Sequence, residues 1–177
     1  MSEVLTIPRT AMEVFEMLPE GTLCEVIDNF IYTTPPPSTD HQRISFRIAG
    51  RIDSFLIENP LGEAFAAPCG VYLNAGGENV VEPDIFFVKK ERSYIIEEKG
   101  IMGHPDFIIE ILSTNVKHDK QTKLELYQRN GVPEYFIINP LTKQVWHYVL
   151  VADSYVLHDD TQIGVLNIQQ LDMQIKF

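Results

Sequence analysis

The stretch that decides the fold is Pro105-Asp106-Phe107-Ile108-Ile109-Glu110-Ile111-Leu112-Ser113. Five of its nine residues are large and apolar, which indicates a strand buried on both faces. An ionised Glu110 inside such a strand is costly unless a cation, a metal or a bound proton compensates it. Side chains alternate along a strand, so Asp106, Ile108, Glu110 and Leu112 are expected on one face. Two carboxylates on one face favour a metal site.

Composition and charge restrict the class of protein. The 177 residues fit one domain, residues 1–177, and the 45% apolar content is typical of a globular fold. The net charge of −11 argues against a general polyanion binder, although it leaves room for a local basic face or a metal site. Cys24 and Cys69 fit no metal or redox spacing and are interpreted as free thiols. With no apolar window of membrane length, we expect a soluble cytoplasmic protein without a membrane partner.

The apolar pattern predicts helices that alternate with strands. Helices are predicted at 10–18, 39–57 and 115–130. Strands are predicted at 22–27, 30–33, 63–73, 79–88, 105–113, 132–138, 145–150 and 154–157. The third helix lies between two apolar strands, which predicts a crossover and a parallel pair. The expected fold class is α/β, with a mixed central β-sheet flanked by helices and additional antiparallel strands.

Two of the apolar strands contain a Pro-Asp step, at Pro83-Asp84 and Pro105-Asp106. If these strands are neighbours, Asp84 and Glu110 can converge on Mg²⁺ or Mn²⁺, which prefer oxygen ligands. Lys123, on the helix after the Glu110 strand, is the candidate to position a metal-bound water or stabilise developing negative charge.

Each of these three residues also has a structural interpretation. Asp84 can simply follow a proline as a turn or strand cap. Glu110 and Lys123 can form a buried ion pair without metal, and Lys123 can instead pair with Asp119 on the helix surface.

Other charged residues are weaker candidates. Glu25 lies between apolar neighbours in its predicted strand, and with Asp106 it could add to the acidic site. His41 begins the second helix near its buried side, where a capping or packed histidine is the simpler interpretation. Glu97-Glu98-Lys99 is a literal Glu-x-Lys, but its polar setting favours Glu110 over Glu97 as the active acid.

Three arginines recur every four residues on the second helix: Arg43, Arg47 and Arg51. Such a row could contact a phosphate backbone. The alternative is a solvated helix face, partly neutralised by nearby acidic residues.

Four blocks of the sequence occur in an order that resembles a known family. They are Pro83-Asp84, the 105–113 stretch, Asp119-Lys120-Gln121-Thr122-Lys123-Leu124-Glu125-Leu126-Tyr127 and Gly131-Val132-Pro133-Glu134-Tyr135-Phe136. Together they resemble the Uma-two family of restriction endonucleases, within the PD-(D/E)XK nuclease superfamily. The resemblance implies a restriction-endonuclease-like fold and divalent-metal-dependent cleavage of phosphodiester bonds in DNA, with a homodimer suited to cutting both strands.

The resemblance assigns Asp84 as the motif aspartate and Glu110 as the motif acid, and it implies that the Ile111 carbonyl contributes to the metal site. The superfamily lysine would fall at Leu112 and is absent, so Lys123 is the expected replacement. This departure keeps a second hypothesis open, in which the chain is a non-catalytic nuclease-fold module that binds nucleic acid or protein. A third, weaker interpretation is an oligomeric structural protein with a buried ion-pair network.

Overall fold

The computed structural model describes residues 7–19, 21–33, 35–74, 78–113 and 116–177, without the side chains of 116–120. Its helices are α1 (Ala11–Met17), α2 (Thr39–Glu58) and α3 (Val116–Arg129), in agreement with the predicted positions. Short 3-10 helices span Lys90–Ile95 and Gln169–Leu171. None of the helices within the described ranges is long and apolar enough to cross a membrane.

In the described parts of the chain, fourteen strands build three sheets. They are β1 (Cys24–Ile27), β2 (Phe30–Thr33), β3 (Gly62–Ala66), β4 (Val71–Leu73), β5 (Asn79–Val81), β6 (Ile85–Lys89), β7 (Ile96–Glu97), β8 (Gly100–Met102), β9 (Phe107–Ile111), β10 (Glu134–Ile138), β11 (Val145–Val151), β12 (Ser154–Asp159), β13 (Val165–Ile168) and β14 (Met173–Lys176). The central sheet has the order β12-β11-β10-β9-β6-β3, and the second sheet has the order β2-β1-β5-β4-β8-β7. Strands β13 and β14 form a separate hairpin.

The central sheet is covered on both faces. Ile44, Ile48 and Ile52 of α2 pack with Phe107 and Ile109 on one face, together with apolar residues of the β13–β14 hairpin. The other face packs against the second sheet and α3, in a cluster that includes Ile108, Leu126 and Tyr135. Two covered faces explain why all five residues of β9 are buried, and the predicted α/β class is confirmed.

The neighbours of β9 determine where the acidic residues meet. Strand β10 runs parallel to β9, as predicted, with Glu110 beside Ile137. Strand β6 pairs with the other edge of β9 in antiparallel register, with Ile85 opposite Ile109. Continuing this register by one residue places Asp84 opposite Glu110.

Two strands that were predicted as continuous are each divided between the two sheets. The 63–73 segment becomes β3 and β4, and the 79–88 segment becomes β5 and β6. Both divisions occur at a proline, Pro68 and Pro83, because proline has no N–H to continue a hydrogen-bonded ladder. The second division lies where the two sheets meet, and it places Glu82 and Asp84 there.

Glu134 of β10 anchors the C-terminal part of the chain. Its carboxylate accepts hydrogen bonds from the backbone N–H groups of Gln169 (2.8 Å) and Gln170 (3.1 Å), and it lies 2.8 Å from His147 Nε2. We expect Glu134→Ala to lower the free energy of unfolding by about 3 kcal/mol, because it leaves two backbone donors and the buried His147 without their partner. Urea denaturation measures this, with exposed Glu63→Ala as the control. A loss below about 1 kcal/mol would contradict this anchoring role.

Candidate active site

Acidic side chains from different elements meet where the two sheets adjoin. Glu25 comes from β1 of the second sheet, Glu110 from β9 of the central sheet, and Glu82 and Asp84 from the connection between β5 and β6. We call these four residues the acidic cluster. Glu25 also accepts a hydrogen bond from the backbone N–H of Glu82 (2.9 Å), which ties the connection to the second sheet.

Lys123 holds two members of the cluster. Its Nζ donates to Glu25 Oε1 and to Glu110 Oε1, both at 2.9 Å. Tyr127, one turn further along α3, donates its hydroxyl to the same Glu110 oxygen at 2.6 Å. Lys123, Leu126 and Tyr127 are buried because this spacing puts them on the inward face of the helix.

The electrostatics of Glu110 follow from this setting. Burial has the largest effect and raises the pKa of Glu110. The charge of Lys123 lowers this pKa, the charges of Asp84 and Glu25 raise it, and the hydrogen bond from Tyr127 lowers it, which leaves a pKa of about 7. Burial lowers the pKa of Lys123, but Glu110 and Glu25 outweigh this and raise it. Lys123 is therefore a permanent cation shared by two carboxylates. With Asp84 included, the ionised site has surplus negative charge, which favours a further cation.

Asp84 is fixed beside Glu110 by two contacts. Its Oδ2 accepts a hydrogen bond from the Ile111 backbone N–H at 2.7 Å and lies 3.1 Å from His41 Nε2. His41 points inward because it lies on the same buried stripe of α2 as Ile44 and Ile48. Burial lowers the pKa of His41, but its hydrogen bond to Asp84 and the charges of Asp84 and Glu110 raise it overall.

The donor set fits a hard divalent cation. Lys123 and Tyr127 contact Oε1 of Glu110, and the Ile111 N–H and His41 contact Oδ2 of Asp84. Within the described parts of the chain, Oε2 of Glu110 and Oδ1 of Asp84 therefore have no hydrogen bond. Among those residues no three His, Cys, Asp or Glu side chains are already arranged around a metal position. Mg²⁺ is commonly held by one or two carboxylates and keeps several waters, so the pair Asp84 and Glu110 is a sufficient protein contribution.

A cavity of about 640 Å³ opens onto these residues. Glu25, Glu82, Asp84, Glu110 and Lys123 lie on its wall. Much of the remaining lining is apolar: Leu23, Pro35, Pro36, Pro37, Ala67, Pro68, Leu112, Pro140 and Leu141. The carboxylates are thus buried within the protein yet reachable from a cleft, which is the arrangement expected of a catalytic site.

Asp106 does not join the acidic cluster. Its Oδ1 lies 3.0 Å from Arg92 Nη1, and its Oδ2 accepts a hydrogen bond from the Lys89 backbone N–H at 2.8 Å. Four residues of extended chain also put it about 13 Å along the strand from Glu110. The expectation that Asp106 shares a metal with Glu110 is corrected: its carboxylate anchors the 3-10 helix at Lys90–Ile95.

Several other predicted positions lie away from the cavity. Arg43, Arg47 and Arg51 are exposed on α2, where Arg43 pairs with Asp40. The Glu97-Glu98-Lys99 triplet is exposed, and Lys99 Nζ lies 3.3 Å from Glu16. The side chain of Asp119 lies outside the described residues, so the Asp119–Lys123 alternative has no geometry to report. Lys123 itself is only 7% exposed, which excludes a surface lysine.

Sequence reasoning did not identify Glu82 or the hydroxyl of Tyr127 as parts of the site. Glu82 is half-buried, and burial followed by the charge of Glu25 raises its pKa. The sequence Glu82-Pro83-Asp84, in which Glu82 lies next to the Pro-Asp step, could have identified it. The spacing of four between Lys123 and Tyr127 was visible in the sequence and puts both on one side of the helix, but the hydroxyl of Tyr127 was given no role.

Comparisons with known proteins bear on the family and the fold of the chain. The family model Uma2, described as "Putative restriction endonuclease", matches residues 11–174. A solved structure from Anabaena variabilis, described as "a putative nuclease belonging to DUF820", has a TM-score of 0.75 and 21% sequence identity, and the match covers 96% of this chain and 95% of that one. No match was found among the curated proteins. The family match extends over nearly the whole chain, and the protein belongs to the Uma2 family of restriction-endonuclease-like proteins.

Proposed function

We propose that this protein is a divalent-metal-dependent nuclease that hydrolyses phosphodiester bonds, with DNA as its substrate. The observation that carries the proposal is the placement of Glu110 opposite Asp84, fixed by Lys123 and Tyr127, at the wall of an open cavity. The test is nicking of supercoiled plasmid with Mn²⁺ or Mg²⁺. Nicking is expected with either ion and none with EDTA, whereas plasmid left intact under all conditions would contradict the proposal.

Each residue of the site has a role in this chemistry. Asp84 and Glu110 would hold Mg²⁺ or Mn²⁺, with the Ile111 main chain close by. When bound, the ion lowers the pKa of a coordinated water and neutralises charge on the phosphate. Lys123 cannot act as a base because its pKa is raised, so it stabilises negative charge as an ammonium. Tyr127 orients Glu110 through Oε1, which would leave Oε2 to hold the ion.

We also propose a homodimer, a phosphate contact on α2 and a cytoplasmic location. A homodimer would present two such sites to the two strands of a duplex, and the arginine row of α2 is the proposed contact to the phosphate backbone. Free Cys24 and Cys69 suit the reducing cytoplasm, where we place the protein.

Metal binding should weaken as the pH falls below 7. The pKa of Glu110 is raised to about 7, so below that pH a proton occupies the carboxylate that the metal requires. We expect Mn²⁺ affinity, measured by isothermal titration calorimetry, to fall about tenfold between pH 8 and pH 6. Asp84→Asn should weaken binding at both pH values and shift the dependence to lower pH, because the charge of Asp84 helps to raise the pKa of Glu110. Equal wild-type affinity at the two pH values would contradict the role of Glu110.

A specific observation also favours the non-catalytic alternative. Lys123 already compensates Glu110 and Glu25, and Leu112 occupies the usual lysine position, so the cluster has a stable arrangement as an ion-pair network. A binding module predicts nucleic-acid or protein binding that survives Asp84→Asn, together with no metal-dependent nicking by the wild-type protein. A nuclease predicts nicking that Asp84→Asn removes.

A further inference from the structure

The cavity beside the acidic cluster is lined by residues of two different kinds. Its lining includes the carboxylates and Lys123, and also three consecutive prolines, Pro35–Pro37, with apolar side chains such as Leu23 and Leu141. Its volume of about 640 Å³ lies in the range of sites for single small molecules, about 300–1,000 Å³. The space therefore suits one nucleotide rather than a length of double helix.

The charges of the lining indicate which part of a nucleotide enters. Within the described residues, Lys123 is the only Lys or Arg on the cavity wall, and two carboxylates already share it. Glu82 adds a further carboxylate to the lining. A row of phosphates inside this space would meet repulsion, because tracking a nucleic-acid backbone requires several cations.

A neutral, planar base meets a more favourable surface. Proline rings and leucine side chains offer apolar contact to its faces, and Gln42 and Ser38 offer polar groups to its edges. His41, also on the wall, is 7% exposed, and its Nδ1 has no hydrogen-bond partner among the residues described. A base in a stacked duplex cannot reach such a space without leaving the stack.

We propose that the cavity receives an unpaired base next to the bond that is cleaved, so that the preferred substrate is single-stranded or locally unpaired DNA. This inference rests on the proposed nuclease function for its position beside the scissile bond. Binding of the base depends on the cavity alone and can be measured without cleavage.

The test is binding with Ca²⁺ in place of Mn²⁺, followed by fluorescence anisotropy. The probes are a labelled twenty-nucleotide strand, the same strand annealed to its complement, and a strand of equal length in which abasic tetrahydrofuran units replace the nucleosides. We expect the natural strand to bind at least about tenfold more tightly than the other two probes, because stacking of bases on the protein supplies the difference.

Tryptophan variants inside and outside the cavity localise the effect. Gln42→Trp takes up part of the cavity and removes the amide offered to the edge of the base, so it should weaken binding of the single strand about tenfold. Ser54→Trp, on α2 but away from the cavity, should leave it unchanged. Leu141→Trp, which fills the cavity from an exposed loop position, repeats the test if Gln42→Trp lowers the melting temperature.

The outcomes separate the two proposals. The inference would be overturned if the natural strand bound no more tightly than the duplex or the abasic strand, or if no probe bound at all. Full binding by both cavity-filling variants would also overturn it. A preference for the natural strand that the cavity-filling variants remove supports it. If that preference is found while plasmid is never nicked with Mn²⁺, the nuclease proposal fails and the base-binding cavity stands.

Discussion

Replacing Lys123 with methionine is expected to lower the free energy of unfolding by about 3–5 kcal/mol at pH 8. Lys123 Nζ lies 2.9 Å from both Glu25 Oε1 and Glu110 Oε1, and all three side chains are buried. Methionine fills similar space, but it leaves two carboxylates near each other without a cation. Urea denaturation followed by circular dichroism measures the change.

A double variant tests the cause of that loss. Because the penalty in Lys123→Met comes from uncompensated negative charge, Lys123→Met with Glu110→Gln should recover part of the stability at pH 8. The single variant should also be less destabilised at pH 5, where Glu110 holds a proton, since its pKa is about 7. A small loss that is equal at both pH values and unaffected by Glu110→Gln would show that the ion pair is not what Lys123 contributes.

Glu110→Gln is expected to reduce Mn²⁺-dependent nicking at least about 100-fold, because it removes a charged oxygen ligand from the proposed metal position. The substitution keeps the shape of the side chain, so the melting temperature should change little. Initial rates of plasmid nicking give the measurement, and Asp84→Asn should show a similar loss.

The sequence offers a matched control in Glu97-Glu98-Lys99, its literal Glu-x-Lys. Glu97 lies on exposed β7, away from the cavity, so Glu97→Gln should nick plasmid at the wild-type rate. If Glu97→Gln abolished nicking while Glu110→Gln did not, the assignment of Glu110 as the active acid would be refuted.

The sequence predicted the elements around the site because their signals are local. An apolar run around Glu110 and regular helical spacing in α2 and α3 are properties of neighbouring residues. The Asp28-Asn29 turn is of the same kind, and both residues have the positive φ that a tight hairpin turn needs. Such signals also put Lys123 on the helix that follows β9, although they left open whether it faces inward.

Local sequence patterns could not predict that two of the strands are each divided between the two sheets. Pro68 and Pro83 were recognised as disturbances, but whether a chain resumes the same sheet or crosses to another depends on distant partners. Asp106 was misplaced for the same reason. Its face of the strand was predictable, whereas its partner Arg92 comes from a 3-10 helix in a segment predicted as mixed surface connection.

The most direct test of the proposed metal position is anomalous diffraction from a crystal of the protein soaked in Mn²⁺ at pH 8. We expect an anomalous peak within about 2.5 Å of one oxygen of Asp84 and one oxygen of Glu110, with Lys123 still in contact with Glu110. A crystal in which manganese binds elsewhere or not at all, while Lys123 alone compensates Glu110 and Glu25, would contradict it.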